Sequence, residues 1–209
     1  MKNSLKKKLI DELKNNQITI YLFHGVIDRN INSIRNYTGK HIESNHFYSL
    51  MKQLSKKGNP ISIDEAIETI KGKKKIKPKS FVITFDDGFY NNISVGYPLL
   101  KSLKIPFTIY LTTSFIDKNY MSWIDQIEYC VQKTRIKEIF ILRYKKNFEI
   151  NNDAEKIKLM NFIRLKVKKD KNCDPNKFAK QVNKSLGFNK AIKSNSCLLY
   201  TSDAADDSL

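Results

Sequence analysis

The chain has 209 residues, 41% of them hydrophobic and 11% aromatic, which is enough for a domain with a buried core and too much for a disordered chain. The formal net charge of +17 permits an anionic partner such as nucleic acid or a membrane surface. The excess is mainly dispersed lysine, accompanied by much Ile and Asn, a bias that an AT-rich genome produces, so we do not expect a nucleic-acid partner. No apolar run is long enough for a membrane span or a signal peptide, and the three cysteines form no CxxC pair, so we expect a cytoplasmic protein.

Residues 1–135 show apolar strand-like runs that alternate with helical periodicity. In chain order the patterns predict a charged helix at 5–15, a buried strand at 18–23, a helix around 47–54, a capping-box helix from 62 to about 71, a buried strand at 81–85, a helix near 93–103, a strand at 107–111 and a helix that begins after Ser122. The polar segment 27–43, which contains His41, is predicted to be irregular. Strands that alternate with helices predict a parallel α/β sheet or barrel.

Residues 136–196 have a different pattern. They predict a small β-hairpin at 138–150 around Lys145-Lys146, a basic amphipathic helix at 153–168, and a helix that Asp174-Pro175 begins and Gly187 ends. We interpret this part as an α+β insertion or lid subdomain on a main domain that covers residues 1–135.

The last 13 residues, 197–209, differ from the rest in origin. The string CLLYTSDAADD at 197–207 matches one reading frame of a transposase-end adaptor used in DNA library preparation. We therefore interpret 197–209 as a non-native tail, to be excluded from reasoning about the fold.

Two adjacent carboxylates follow the buried strand 81–85. Asp86 and Asp87 come directly after it, and Gly88 allows a tight turn. In parallel α/β folds this end of a strand faces the active site. One carboxylate can bind a metal there while the other accepts a proton from water, although an Asp-Asp-Gly turn by itself is usually structural.

Several segments together resemble one known family. The motif Thr84-Phe85-Asp86-Asp87-Gly88, the early Tyr21-Leu22-Phe23-His24-Gly25-Val26, the run from Ile105 to Thr113 and the segment Ser122 to Glu128 resemble the polysaccharide deacetylases with a NodB-homology domain, carbohydrate esterase family four. The resemblance covers roughly residues 18–135 and implies a partial, deformed (β/α) barrel. It also implies a metal-dependent hydrolase that removes N-acetyl groups from an amino-sugar polysaccharide or glycan.

The resemblance also implies roles for particular residues. Asp86 would be the general base, and Asp87 would be a ligand of a divalent metal, with zinc as the family expectation. His24 would be a general acid for the leaving amine, although an ordinary strand-end histidine is an equally good interpretation.

The chain departs from the family in its histidines. The family supplies two further ligands from an HxxxH-like motif after the first motif, whereas all three histidines of this chain precede Asp86. We interpret His41 and His46 as non-ligands, and the chain as the N-terminal part of a deacetylase that is inactive by itself.

Two other functions remain open. A metal-dependent nucleotide-sugar glycosyltransferase also uses acids at a strand end, but it would need a nucleotide-binding half before them, and residues 1–80 contain no glycine-rich phosphate loop. A basic, non-catalytic binding module would need basic residues interleaved with exposed aromatic side chains on one face.

Overall fold

The computed structural model describes residues 3–28, 34–112, 121–190 and 192. These residues form two compact units: 3–28 and 39–112 belong to the first, and 34–38, 121–190 and 192 belong to the second. The predicted tail at 197–209 lies outside the described residues. Within the described ranges no helix has the length and hydrophobicity that a bilayer span requires.

The first unit is built around a parallel sheet. Its elements are α1 (Asn3–Asp11), β1 (Ile18–Phe23), β2 (Gly25–Ile27), β3 (His41–Glu43), α2 (Ser44–Lys57), β4 (Asn59–Pro60), α3 (Ile63–Ile70), β5 (Ser80–Phe85), a π-helical segment (Asn92–Gly96), α4 (Tyr97–Ser102) and β6 (Phe107–Ile109). β5 pairs in parallel with β1, β4 and β6, which confirms the predicted parallel α/β class. The four strands form an open sheet within the described residues.

The central strand is buried along its whole length because apolar residues cover both of its faces. Phe81, Ile83 and Phe85 of β5 pack into the main core of the unit. α2 contributes the fully buried side chains Phe47, Leu50, Met51 and Leu54 to the same core. On the opposite face, Val82 packs against Ile61 and Ala66. Burial of one such large apolar side chain contributes about 1.5–3 kcal/mol.

Helix starts in this chain follow local signals. Ser62 and Glu65 form the predicted capping box, in which each side chain accepts a hydrogen bond from the other residue's backbone N–H. The Ser122 hydroxyl accepts from the Asp125 N–H at 3.2 Å, and Asp174 Oδ1 accepts from two backbone N–H groups. These three predictions are confirmed.

The prediction for residues 27–43 was wrong at both ends of that segment. Ile27 ends β2, and His41 begins β3, which pairs in parallel with β2 so that Gly25 lies opposite His41. His41 is only 3% exposed, although the sequence placed it in a polar loop. A strand of three residues has too few positions to show an alternation of apolar and polar side chains, and its hydrogen bonds are made with a strand from another part of the chain.

The second unit combines a helix bundle with a hairpin. It contains a 3-10 turn (Ile34–Asn36), α5 (Trp123–Lys133), β7 (Glu138–Ile141), a second 3-10 turn (Leu142–Tyr144), β8 (Lys146–Glu149), α6 (Asp153–Lys169) and α7 (Pro175–Ser185). β7 and β8 pair antiparallel, as predicted. Arg164 of α6 donates to the buried Glu128 carboxylate at 3.0 Å and to the Tyr37 hydroxyl at 3.1 Å.

The predicted boundary between residues 135 and 136 falls inside this second unit, after α5. Residues 121–135 belong to the second unit because α5 packs with α7 and the hairpin elements in one apolar core. The division into a deacetylase part and an insertion stays a prediction.

Candidate functional site

The predicted site residues lie at the carboxyl edge of the parallel sheet. β1 and β5 pair in register, with Phe23 opposite Phe85, so the next residue of each strand, His24 and Asp86, leaves the sheet at the same edge. The Asp86 N–H donates to the Phe23 carbonyl oxygen at 2.9 Å. Neighbouring strands are about 4.8 Å apart, so the backbones of His24 and Asp86 lie side by side.

The turn after β5 has an unusual backbone. Asp87 has a φ of 70° and Gly88 a φ of 71°, so two consecutive residues are left-handed. Glycine adopts this conformation freely, whereas an aspartate does so at a cost of about 1 kcal/mol. A Cβ on Gly88 would also lie 2.6 Å from Leu111 Cδ2. The sequence signal for this turn was the glycine, and the strain falls on the predicted metal ligand, which is the kind of place where functional sites store it.

A fully buried amide holds the two strand ends together. In the orientation that satisfies both neighbours, the Asn92 side-chain nitrogen donates to the His24 carbonyl oxygen at 3.0 Å, and its oxygen accepts from the Phe89 N–H at 3.3 Å. Asn92 therefore ties the residue after β1 to the turn that carries the acids. The π-helical segment begins at the same residue, and such segments occur often at functional sites.

A second buried contact lies directly behind this turn. Asn91 Nδ2 lies 3.2 Å from His41 Nδ1, and both residues are 3% exposed. The His41 ring meets the Phe89 ring edge-on, with centroids 4.8 Å apart. Gly25 makes room for this packing, because a Cβ there would lie 2.1 Å from His41 Nδ1. The sequence analysis did not predict a role for Asn91 or Asn92. A pair of amides at a helix start could have indicated one, because such side chains often bond to nearby backbone groups.

A cavity of about 490 Å³ opens beside His24 in the first unit. All three histidines of the chain line it, together with Lys40, Glu43 and a set of mainly apolar residues: Leu5, Leu9, Leu22, Phe23, Gly39 and Ile42. Asp86 and Asp87 do not line this cavity. The structure thus places the backbones of His24 and Asp86 next to each other. Of these two residues, only His24 lines the cavity.

The donor set for a metal is incomplete within the described ranges. Asp86 and Asp87 are half-buried at the sheet edge, but no group of three or more His, Cys, Asp or Glu residues there could hold a metal ion. His46 lies at the start of α2, where its Nδ1 is 3.4 Å from a Glu43 carboxylate oxygen. A catalytic zinc site normally has three protein ligands and a water, so these residues alone do not fit one.

One comparison with known proteins shows the family of this chain. The family model for polysaccharide deacetylases matches residues 73–194, more than half of the chain, and the match includes Asp86 and Asp87 but not His24. A search of curated proteins finds no match.

Among solved structures, the chain is similar to a de-N-acetylase from Aggregatibacter actinomycetemcomitans, with 19% identity, coverage of 82% of this chain and 85% of that one, and a TM-score of 0.45. IcaB from Ammonifex degensii has 15% identity, coverage of 92% and 90%, and a TM-score of 0.44. The deacetylase PplD of Streptococcus pyogenes, in complex with acetate, has 17% identity, coverage of 55% and 52%, and a TM-score of 0.41. On the family match, this chain belongs to the polysaccharide deacetylase family.

Proposed function

We propose that the protein's reaction is hydrolysis of an N-acetyl group on an amino-sugar polysaccharide or glycan. The observation that carries the proposal is the Asp86-Asp87 pair at the carboxyl edge of a parallel sheet, inside the segment that the family model matches. Water adds to the acetamide carbonyl carbon, the carbon–nitrogen bond breaks, and acetate and a free amine leave.

Asp86 and His24 suit the two proton transfers of this reaction. An aspartate within reach of the attacking water accepts its proton, and an imidazolium within reach of the sugar nitrogen donates one to the departing amine. Their adjacent backbones support the proposal, because the Asp86 N–H bonds to the residue just before His24. Asn92 would act as a positioning residue, since it holds the His24 carbonyl.

The family resemblance adds a divalent metal, with zinc as the first candidate, and Asp87 is the residue that would ligate it. The proton transfers described above are assigned to side chains of this chain. The described residues supply no complete ligand set for the metal. We therefore propose that the chain as printed binds zinc weakly and shows no useful activity at micromolar zinc. One carboxylate holds a divalent cation without fixing its geometry.

The proposal for the fold is a partial, deformed barrel of the NodB-homology type. Support comes from β1, where Ile20 is 56% exposed and Leu22 is 53% exposed. Both side chains lie on the sheet face opposite the main core, and additional barrel strands would cover such a face.

The test is acetate release from N-acetylated chito-oligosaccharides by the full chain, with cobalt or zinc varied from micromolar to roughly millimolar. We expect slow release that requires the higher metal concentrations and falls at least ~100-fold in Asp86→Asn. The matched control is Asp64→Asn, which removes an exposed carboxylate from the first turn of α3.

Two results would contradict these proposals. Measurable acetate release that is equal in the wild type and Asp86→Asn would remove the hydrolase proposal for this site. Tight, stoichiometric zinc binding with full turnover at micromolar zinc would show that the chain already holds a complete ligand set.

A further inference from the structure

The hairpin of the second unit has two chemically different faces. On the inner face, Ile139 and Ile141 are buried, and Phe148 packs with them in the core. The outer face consists of Glu138, Phe140, Asn147 and Glu149, all of which are exposed. Register places Phe140 opposite Asn147 and Glu138 opposite Glu149. Asn147 Nδ2 donates a hydrogen bond to the Glu138 carboxylate. The outer face is therefore an aromatic ring beside a bonded amide–carboxylate pair and a second carboxylate, that of Glu149.

The charge of the outer face is opposite to that of its surroundings. Residues 121–190 contain 17 Lys and Arg against 8 Asp and Glu, an excess of 9 positive charges. The outer face nevertheless has two carboxylates and no base. Lys146 of the same hairpin belongs to the inner face, where its Nζ lies 5.4 Å from the Phe148 ring centroid and 4.9 Å from that of Phe162.

The arrangement is unfavourable for the hairpin alone. Like charges directly opposite each other on neighbouring strands are destabilising, and Glu138 and Glu149 occupy such a pair. Phe140 leaves 51% of its surface exposed, whereas Ile139 and Ile141 on either side of it in the strand point to the inner face and are buried. A ligand with a flat apolar face and a positive charge would relieve both costs at once.

We propose that this outer face binds partially deacetylated amino-sugar glycan, which is the product class of the proposed reaction and on which this inference rests. The Phe140 ring stacks on the apolar C–H face of a sugar ring, and the Asn147 amide oxygen accepts from ring hydroxyls while its N–H stays bonded to Glu138. The ammonium group of a free amino sugar pairs with Glu138 and Glu149, since charge-assisted hydrogen bonds are the stronger class. Residues two apart on a strand are about 7 Å apart, so the ring and the carboxylate pair fit adjacent parts of one short glycan.

Charge complementarity decides between this glycan and an anionic one. The long-range field of residues 121–190, with 9 excess positive charges, repels a polycation and attracts a polyanion. At contact, however, an anionic glycan on the outer face would meet two carboxylates and no base. The outer face therefore selects a cationic ligand locally, and the surrounding lysines keep the affinity low, which suits a surface that has to release product.

The experiment is a titration of the full-length, isotope-labelled chain with glucosamine tetramer and, separately, with N-acetylglucosamine tetramer, followed by backbone amide chemical shifts at pH 6.5. We expect shift changes at residues 138–141 and 146–149, with tighter binding of the glucosamine tetramer. Phe140→Leu keeps the apolar character but removes the flat ring, and it should weaken the binding of both ligands about 5-fold or more. Glu138→Gln with Glu149→Gln should abolish the preference for the amine.

The control is Leu165→Ala, which removes an equally exposed apolar side chain from α6, outside the outer face, and should leave both affinities unchanged. Shift changes that map elsewhere, or affinities that are unaffected by Phe140→Leu, would overturn the inference. The same holds if the double glutamine variant retains the amine preference. Binding needs no turnover, so loss of acetate release with intact binding counts against the proposed reaction only.

Discussion

Replacement of Asp87 by glycine tests whether the site stores backbone strain. Asp87 has a φ of 70°, a conformation that costs an L-residue about 1–2 kcal/mol, with aspartate near the lower limit. Glycine removes this cost but destabilises the folded state by about 0.5–1 kcal/mol, because it increases the conformational entropy of the unfolded chain. Loss of the carboxylate beside Asp86 adds a few tenths of a kcal/mol. We therefore expect Asp87→Gly to raise the free energy of unfolding by about 0.5 kcal/mol.

The measurement is thermal unfolding by circular dichroism at neutral pH without added metal. A gain of about 0.5 kcal/mol corresponds to a rise in Tm of about 1–2 °C for a chain of this size. The matched control is Lys104→Gly, at an exposed position with a φ of 54°, which is far from any proposed chemistry and should be stabilised to a similar or slightly larger extent.

The two variants differ in what they should do to metal binding. Asp87→Gly should lose the weak cobalt binding of the wild type, whereas Lys104→Gly should retain it. Stabilisation combined with loss of binding would mean that aspartate occupies this position for its carboxylate and at a cost to stability. A Tm that falls by several degrees in Asp87→Gly but rises in Lys104→Gly would refute the reasoning, because the Asp87 side chain would then make native contacts worth more than the strain.

Three other perturbations test the surroundings of the site and the second unit. Gly25→Ala should destabilise the protein by about 2 kcal/mol or more, because its Cβ would lie 2.1 Å from an imidazole nitrogen; Gly96→Ala, with nearest atoms at 3.5 Å in a helical backbone, is the control and should be neutral or stabilising in urea unfolding. The Arg143 guanidinium bonded to Asp170 holds the pKa of that carboxyl below its usual value. The stabilising contribution of this pair is complete above the unfolded pKa of about 4 and is lost as pH falls through the folded value. The Tm of Asp170→Asn should therefore depend less on pH than that of the wild type in acid below about pH 4. Burial raises the pKa of the Cys130 thiol to about 12, so we expect mass spectrometry to show slow alkylation of Cys130 in the native chain at pH 8 and rapid alkylation in denaturant, and equal rates would contradict its burial.

The sequence by itself determined the elements whose signals are local. The apolar runs at 18–23 and 81–85 predicted β1 and β5 because β-branched and aromatic residues favour strands. The predicted burial is confirmed for β5 along its whole length, whereas it was wrong for one face of β1, where Ile20 and Leu22 are exposed. The caps at Ser62, Ser122 and Asp174 predicted helix starts because the bonds that they make span only two or three residues. The resemblance to the family was readable for the same reason, since each of the segments that carry it together, among them Thr84 to Gly88, is continuous in the chain.

Only the tertiary structure decided how distant segments support these acids. Two contacts join residues separated by 50 or more positions: that of the buried His41 with Asn91, and that of the Asn92 amide with the His24 carbonyl oxygen. β3 has three residues, too few for a periodic pattern, and a polar side chain is buried at low cost only when a partner from another segment satisfies it. The left-handed Asp87 and the π-helical segment likewise depend on the strands and helices that hold them. Such features depend on contacts between segments that are distant in the chain, and the local sequence does not specify which distant segment will make the contact.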